Sequence, residues 1–171
     1  NLLYRAIDLN CKDAMYKLAL CYEEGRGTEE DDERALALLI RASEIGSVEA
    51  VSKLSLCYEE GRGTSKNKEL SGFYRRIAEN ATNPSILDQM CQNIPSEDED
   101  VIIQCLKALS AFGDVIALYL IGIRLQMKRD DKGAFEYFKR ASDKGILEAA
   151  YELALCYMEG RGTKGDDGQA F

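Results

Sequence analysis

The chain has 171 residues, 46% hydrophobic and 30% charged, and this length suffices for one domain with a sizeable core. Its 30 acidic and 22 basic residues give a formal net charge of −8, which argues against nucleic-acid phosphates and anionic membranes as main partners because both repel an acidic surface. No apolar run reaches the roughly 18 residues that a membrane-spanning helix requires, so we expect no direct membrane insertion.

The first predicted elements belong to a repeated helix. LCYEEGRGT at 20–28 returns at 56–64, and LCYMEGRGT follows at 155–163. In each copy the residues at intervals of four share one face of a helix, which we name helix A. Glycine tolerates the left-handed backbone of a helix C-terminus, so the GRGT turn ends helix A. The predicted core positions are Ala14, Leu18, Ala19 and Tyr22; Ala50, Leu54, Ser55 and Tyr58; and Ala149, Leu153, Ala154 and Tyr157.

A second amphipathic helix, helix B, follows the GRGT turn. In the first copy Asp31 and Asp32 open it, since acidic residues favour a helix N-terminus. Helix B then runs to a stop at Gly46. Its apolar stripe consists of Ala35, Leu38, Leu39 and Ala42.

Two degenerate copies lie between the second and the last clear copy, because the helix B stop recurs at Thr82, Gly113 and Gly145. In the third copy Pro95 ends helix A and Asp98 opens helix B, with Ser96 as a candidate N-cap in an acidic run. Its core positions are Ile86, Met90, Cys91 and Ile94, then Val101, Ile102, Cys105, Leu106 and Leu109. The fourth copy lacks the GRGT turn and reads Ala117, Ile121, Gly122 and Leu125, then Asp130 and Ala134.

The repeat register predicts one array over residues 1–171. Neither end carries the polar capping repeat that solenoids usually need, so we expect flanking sequence. The predicted segments are the end of a preceding repeat at about 1–10, repeats at 11–46, 47–82, 83–113 and 114–145, and a truncated repeat at 146–171, where a helix B begins at Asp166.

The pattern AxxxLxxxYxxGxG, followed by DxxxA and a terminal alanine and glycine, resembles the Sel1-like repeat, a relative of the tetratricopeptide repeat. The resemblance covers essentially the whole chain and implies an all-α fold, a right-handed α-solenoid of antiparallel helix pairs. Family members act as adaptors and scaffolds. The resemblance therefore implies a non-catalytic protein–protein interaction scaffold that binds a partner peptide or helix along a concave surface lined by helix A.

Within that concave surface, the helix A positions two residues before and after the core leucine, and those at the helix end, are left to contact a partner. Tyrosine anchors a partner at low entropy cost and methionine adapts to varied shapes. We expect a protein partner with a basic segment and an apolar segment; the alternative is that the tyrosines pack on adjacent helices and the glutamates are solvated. The candidate positions are Tyr16, Leu20, Glu23, Glu24, Ser52, Leu56, Glu59, Glu60, Tyr119, Ile123, Met127, Tyr151, Leu155 and Met158.

The sequence offers no catalytic constellation. It has no histidine, and the GRGT glycines follow a helix, whereas phosphate-binding glycines open one and precede a GK[ST] motif. We expect no enzyme activity, no cofactor and no metal site. Two alternatives stay open: a regulatory region of a larger enzyme or enzyme activator, and a solenoid that self-associates end to end.

The six cysteines do not form a disulfide framework. Cys21, Cys57 and Cys156 occupy one repeated position, and equivalent positions in stacked helices lie roughly 10 Å apart, too far for a bridge. Buried free thiols favour a reducing, cytoplasmic compartment, while the endoplasmic-reticulum lumen and secretion stay open as locations.

Overall fold

The computed structural model describes residues 11–162, and this part of the chain is helical with no strand. The predicted all-α class is confirmed there. The described helices are α1 Lys12–Glu24, α2 Asp32–Ser43, α3 Val48–Glu60, α4 Lys68–Glu79, α5 Pro84–Cys91, α6 Glu99–Ala111, α7 Val115–Met127, α8 Asp131–Asp143 and α9 Leu147–Glu159. The odd-numbered helices correspond to helix A and the even-numbered helices to helix B. The predicted helix B fragments at 1–10 and 166–171 lie outside the described residues.

The ends of these helices agree with the sequence signals that predict them. Asp31 caps α2 by accepting a hydrogen bond from the Arg34 amide at 2.9 Å, as the acidic pair predicts. Gly25, which follows α1, has a φ of +63° and donates its amide to the Cys21 carbonyl. The GRGT turn therefore begins with a glycine in the left-handed backbone conformation at the C-terminus of the helix, as predicted.

The third predicted repeat departs from its expected boundaries. Helix α5 has only eight residues and ends at Cys91, four residues before Pro95. The N-cap of α6 is Asp98 and not Ser96, because the Asp98 side chain accepts hydrogen bonds from the amides of Asp100 and Val101. In α5, Met90 and Cys91 are buried as predicted, but Leu87 is fully buried where Ile86 was expected, and Ile86 is half-buried.

The chain divides into two compact units between Glu97 and Asp98. Unit 1 contains α1 to α5 and unit 2 contains α6 to α9. The division separates α5 from α6, the two helices that the sequence assigns to the third repeat. The repeat boundaries themselves stay a prediction.

Unit 1 is built from helices that pack in chain order, α1 on α2, α2 on α3 and α3 on α4. Leu54 of α3 and Ile77 of α4 are fully buried. The rings of Tyr58 and Tyr74 stack with centroids 5.6 Å apart, which joins α3 to α4. The repeated tyrosine of helix A is therefore a core residue in this unit.

Unit 2 packs in the same order, α6 on α7, α7 on α8 and α8 on α9. Phe138 of α8 is fully buried, and its ring packs against Gly122 of α7, which has no side chain. A Cβ at Gly122 would lie 2.6 Å from Phe138 Cδ1, so the glycine permits the close approach of the two helices. Phe135 and Tyr157 form an edge-to-face pair with centroids 5.3 Å apart, which joins α8 to α9.

The second glycine of the GRGT turn lies where successive repeats are in contact. A Cβ at Gly63 would lie 2.7 Å from the Asp32 carbonyl carbon, at the start of α2. The equivalent Cβ at Gly162 would lie 2.8 Å from the Asp131 carbonyl carbon, at the start of α8. In both units the turn therefore touches the backbone of the preceding helix B, where only glycine fits. This contact explains why glycine recurs at the positions of Gly63 and Gly162.

Candidate partner-binding surface

Helix α7 carries an apolar stripe on its outer side. Asp114 fixes the start of the helix by accepting hydrogen bonds from the amides of Ile116 and Ala117 at 2.9 and 3.1 Å. The sequence VIALYLIGIRLQM is apolar on nearly every side, and such a helix is expected to be covered all round. Four residues at helical spacing nevertheless remain partly or largely exposed: Ile116, Leu120, Ile123 and Met127, of which Met127 is 68% exposed.

Helix α9 borders this stripe with acidic side chains. Tyr119 and Ile123 of α7 pack against a cluster that includes Cys156 of α9. Burial, and then the carboxylates of Glu152 and Glu148, raise the pKa of the Tyr119 phenol, which places both carboxylates near that ring. Four residues at helical spacing line this side of α9: Glu148, Glu152, Leu155 and Glu159.

We name these eight residues the α7/α9 surface: Ile116, Leu120, Ile123 and Met127 of α7 with Glu148, Glu152, Leu155 and Glu159 of α9. An apolar ridge thus lies beside an acidic one. Glu159 pairs with Arg161 of its GRGT turn, Nε to Oε2 at 2.7 Å, so Glu148 and Glu152 carry the charge of the acidic ridge. Two further cations near the end of α7 do not offset these two carboxylates, because each pairs with a carboxylate of α6. Arg124 Nη1 lies 2.7 Å from Glu99 Oε1, and Lys128 pairs with Asp100. The surface is therefore suited to a ligand that brings its own positive charge.

In unit 1, the helix A positions equivalent to the α7/α9 surface carry more polar side chains. Leu20 is half-buried and Leu56 is 45% exposed. Glu24 and Glu60 are exposed, and each pairs with the arginine of its own GRGT turn, Glu60 with Arg62 at 2.9 Å. These pairs are local and exposed, so they contribute little to stability.

A cavity of about 400 Å³ opens beside Leu56 in unit 1. Ser52 is exposed at its edge, and Glu59 reaches across to Arg75 of α4 with an Nη2–Oε2 distance of 2.7 Å. The lining residues are Ser52, Ser55, Leu56, Arg75, Ala78 and Glu79.

Glu23 is not an open groove residue, contrary to the sequence interpretation. It is only 7% exposed, and its Oε2 lies 2.9 Å from Lys53 Nζ of α3. The Cys57 thiol lies 3.9 Å from its Oε1. Burial, and then the Glu23 carboxylate, raise the pKa of Cys57 to about 11. Glu23 therefore belongs to the contact between two successive helices A.

The sequence-predicted positions fall into two sets. One set lies on the side that the α7/α9 surface occupies in unit 2: Leu20, Glu24, Leu56, Glu60, Ile123, Met127 and Leu155. The other set lies at the positions where one helix A meets the next: Tyr16, Glu23, Ser52, Glu59, Tyr119, Tyr151 and Met158. Sequence reasoning missed Ile116, Leu120, Glu148 and Glu152. Their i, i+4, i+7 spacing with Ile123 or Leu155 was the signal that would have found them.

Across residues 11–162, no group of three or more histidine, cysteine, aspartate and glutamate side chains is placed to hold a metal ion. The helices of the same region are all too short or too polar to cross a membrane.

Known proteins resemble the chain in sequence and in fold. DAP3-binding cell death enhancer 1 of Rattus norvegicus is 37% identical over 73 residues, and the Mus musculus protein of that name is 36% identical over 73 residues. Both alignments cover 43% of this chain and 14% of the relative, so the chain spans a small part of these proteins.

Two solved structures are similar. A Sel1 repeat protein from Oxalobacter formigenes has a TM-score of 0.49 and 25% identity, covering 95% of this chain and 70% of the other. The antigen c5321 of uropathogenic Escherichia coli, which displays an SLR fold, has a TM-score of 0.50 and 22% identity, covering 98% of this chain and 38% of the other. The second likeness supports the predicted helix-pair solenoid fold.

The Sel1 repeat itself matches four segments, at residues 12–47, 48–77, 112–146 and 147–171. The segments together span well over half of the chain and leave out most of the degenerate third copy. Sel1 repeats generally mediate protein–protein interaction. The resemblance noted in the sequence is confirmed, and the chain belongs to the Sel1 repeat family.

Proposed function

We propose that this chain is a non-catalytic adaptor that binds a protein partner through the α7/α9 surface. The observation that carries the proposal is the exposed apolar stripe on α7 beside the acidic edge of α9. Exposed apolar side chains that share one helix face, bordered by charge, are typical of a protein-interaction site.

The partner we propose is an amphipathic helix or an extended segment with apolar residues flanked by lysine or arginine. Its apolar side chains would cover Ile116, Ile123 and Met127, and methionine adapts to varied shapes. Its cations would face Glu148 and Glu152. Charge complementarity of this kind increases the association rate and selects against acidic partners.

The location we propose is a reducing compartment. All six cysteines lie in the described part of the chain, and none of them is joined to another in a disulfide. Four of them are buried and act as small apolar residues.

The test is a calorimetric titration with a helical leucine/lysine peptide and its leucine/glutamate counterpart. We expect the lysine peptide to bind and the glutamate peptide not to bind. The double variant Ile123→Ala/Met127→Ala removes part of the apolar ridge and should weaken binding about tenfold or more, the effect of losing hot-spot contacts.

The matched control is Leu147→Ala/Tyr151→Ala, which removes exposed apolar side chains of α9 that lie outside the α7/α9 surface. It should bind the lysine peptide like the parent. An equal loss in both double variants would show non-specific adsorption to apolar surface and would exclude the proposed site.

A further inference from the structure

The cavity of about 400 Å³ in unit 1 lies between α3 and α4, and none of its lining residues belongs to the α7/α9 surface. Its lining combines the apolar side chains of Leu56 and Ala78 with serines and charged groups. Its volume is within the range of ligand pockets, about 300–1,000 Å³. The equivalent positions of the other repeats show which chemical group the cavity fits.

In unit 2 the equivalent positions hold an aromatic pair. Ser52 of α3 and Tyr119 of α7 both stand two residues after the repeated alanine of helix A. Arg75 of α4 and Phe138 of α8 both stand eight residues after the N-cap of helix B. The rings of Tyr119 and Phe138 are in contact, with centroids 6.1 Å apart. Two ring positions of unit 2 are therefore a serine and an arginine at the cavity of unit 1.

Arg75 does not fill the space that its equivalents fill. Leu39 of α2 and Phe138 of α8 are fully buried at this position, whereas the Arg75 side chain is 52% exposed. The Arg75 guanidinium turns to Glu59, with an Nη2–Oε2 distance of 2.7 Å. Ser55, at the position against which the Phe138 ring packs in unit 2, is left lining the cavity. The cavity is therefore the volume that a side chain of helix B fills in the other repeats.

The next helix of the chain does not close the cavity. Helix α3 packs on α2, and α9 packs on α8, so a following helix A covers the equivalent side of both. Helix α5 follows α4, but it has eight residues where the other described helices A have thirteen. No residue of α5 lines the cavity. The opening therefore belongs to the middle of the chain, where the repeat is degenerate.

We propose that this cavity binds an aromatic side chain of a partner protein, with tyrosine preferred. The ring would take the place that the Phe138 ring takes in unit 2. Arg75 lines that place, and a guanidinium stacks favourably on the face of an aromatic ring. Glu79 lines the same cavity, and its carboxylate would accept a hydrogen bond from the tyrosine hydroxyl. Leu56 and Ala78 supply the apolar contact.

Ring binding in unit 1 does not depend on the function proposed for unit 2. All the lining residues of the cavity belong to unit 1, while the α7/α9 surface belongs to unit 2. Loss of one activity would leave the other intact, so the two proposals fail independently.

The test is a titration of the whole chain with N-acetyl-tyrosine amide, followed by nuclear magnetic resonance of the Leu56 and Ala78 methyl groups. We expect saturable shifts of both methyl groups with a Kd of about 1 mM. N-acetyl-leucine amide is the aliphatic comparison probe. It should bind about tenfold more weakly, because it has neither a ring face nor a hydroxyl.

Two variants test where the ring binds. Ser52→Tyr/Arg75→Leu refills the cavity with the pair that α1 and α2 carry at these positions, Tyr16 and Leu39. It should keep the parent's helix content by far-UV circular dichroism and bind the tyrosine probe at least tenfold more weakly. Arg75→Gln leaves the cavity open and removes the guanidinium, so it should weaken binding about three- to fivefold.

The matched controls are Ser52→Ala and Arg76→Gln. Ser52→Ala keeps the cavity open, and the hydroxyl that it removes already donates to the Val48 carbonyl at 2.9 Å. Arg76 is exposed on α4 but does not line the cavity. Both controls should bind the tyrosine probe like the parent.

Four results would each overturn the proposal. They are a parent chain without saturable shifts, unchanged binding in Ser52→Tyr/Arg75→Leu, an equal loss in Arg75→Gln and Arg76→Gln, and a leucine probe that binds as tightly as the tyrosine probe. The Arg75→Gln comparison needs no refilled core, so the proposal stays testable even if the double variant does not fold.

Discussion

Replacing Gly63 by alanine tests the contact that the GRGT turn makes with the preceding repeat. Gly63 has a φ of +65°, and a Cβ there would lie 2.7 Å from the Asp32 carbonyl carbon and 3.1 Å from the Glu33 amide nitrogen. Both atoms belong to the backbone of α2, which has no flexible end to move aside. The left-handed backbone costs a non-glycine residue about 1–2 kcal/mol, and overpacking adds about 1–3 kcal/mol.

Gly63→Ala should therefore lower the free energy of unfolding by about 2–5 kcal/mol. The matched control is Gly145→Ala, since Gly145 has a φ of +90° and no atom of residues 11–162 lies within 4 Å of a Cβ built there. It should lose only the backbone contribution of about 1–2 kcal/mol. Urea denaturation followed by circular dichroism measures both. If the two variants lost the same free energy of unfolding, the second glycine would be needed only for the backbone conformation of the turn. The contact between repeats would then contribute nothing to stability.

The remaining predictions concern the core and pH. Leu54→Ala should cost about 2–5 kcal/mol because Leu54 is fully buried, while Leu56→Ala on the same helix, 45% exposed, should stay within about 0.5 kcal/mol in the same urea assay. Because burial raises the pKa of the Cys57 thiol from 9.0 to about 11, the folded state keeps a proton that the unfolded state loses, so stability should fall as pH rises from 9 to 11. Cys57→Ala should flatten that fall, and an unchanged profile would contradict the assignment.

The repeat pattern was sufficient to predict the helix pairs. Alanine, leucine and tyrosine at intervals of four identify the buried side of helix A in the first two clear copies, where Ala50, Leu54 and Tyr58 are all buried. In α9 only Ala149 of the predicted set is buried, and Leu153, Ala154 and Tyr157 are half-buried. Glycine and aspartate mark the helix ends because their backbone and capping preferences are local. Helix α5 was harder to predict, since its short, proline-flanked segment lacks the repeated phrase. Of its buried residues Leu87, Met90 and Cys91, the sequence pattern missed Leu87.

The candidate surface was only partly predictable. The pattern separates the core side of helix A from the outer side, but the outer side has two edges, and only packing shows which edge the next helix covers. Glu23 and Leu20 are three residues apart on α1, yet Glu23 is buried against Lys53 while Leu20 lies beyond that contact. The acidic edge of α9 was missed for the same reason. Glu148 and Glu152 are candidates only because they lie beside the apolar side chains of α7, and the sequence pattern does not show that neighbourhood.

The measurement that tests partner binding most directly is photo-crosslinking from single positions of unit 2 in lysate of the source cell. A benzophenone amino acid at Met127, which is 68% exposed on the α7/α9 surface, is compared with one at Leu147, which is 82% exposed outside it. We predict that the probe at position 127 attaches covalently to one partner protein and that excess leucine/lysine peptide prevents this, while the probe at position 147 does not capture that partner. Capture of the same proteins from both positions, or from position 147 alone, would contradict the assignment of the α7/α9 surface as the binding site.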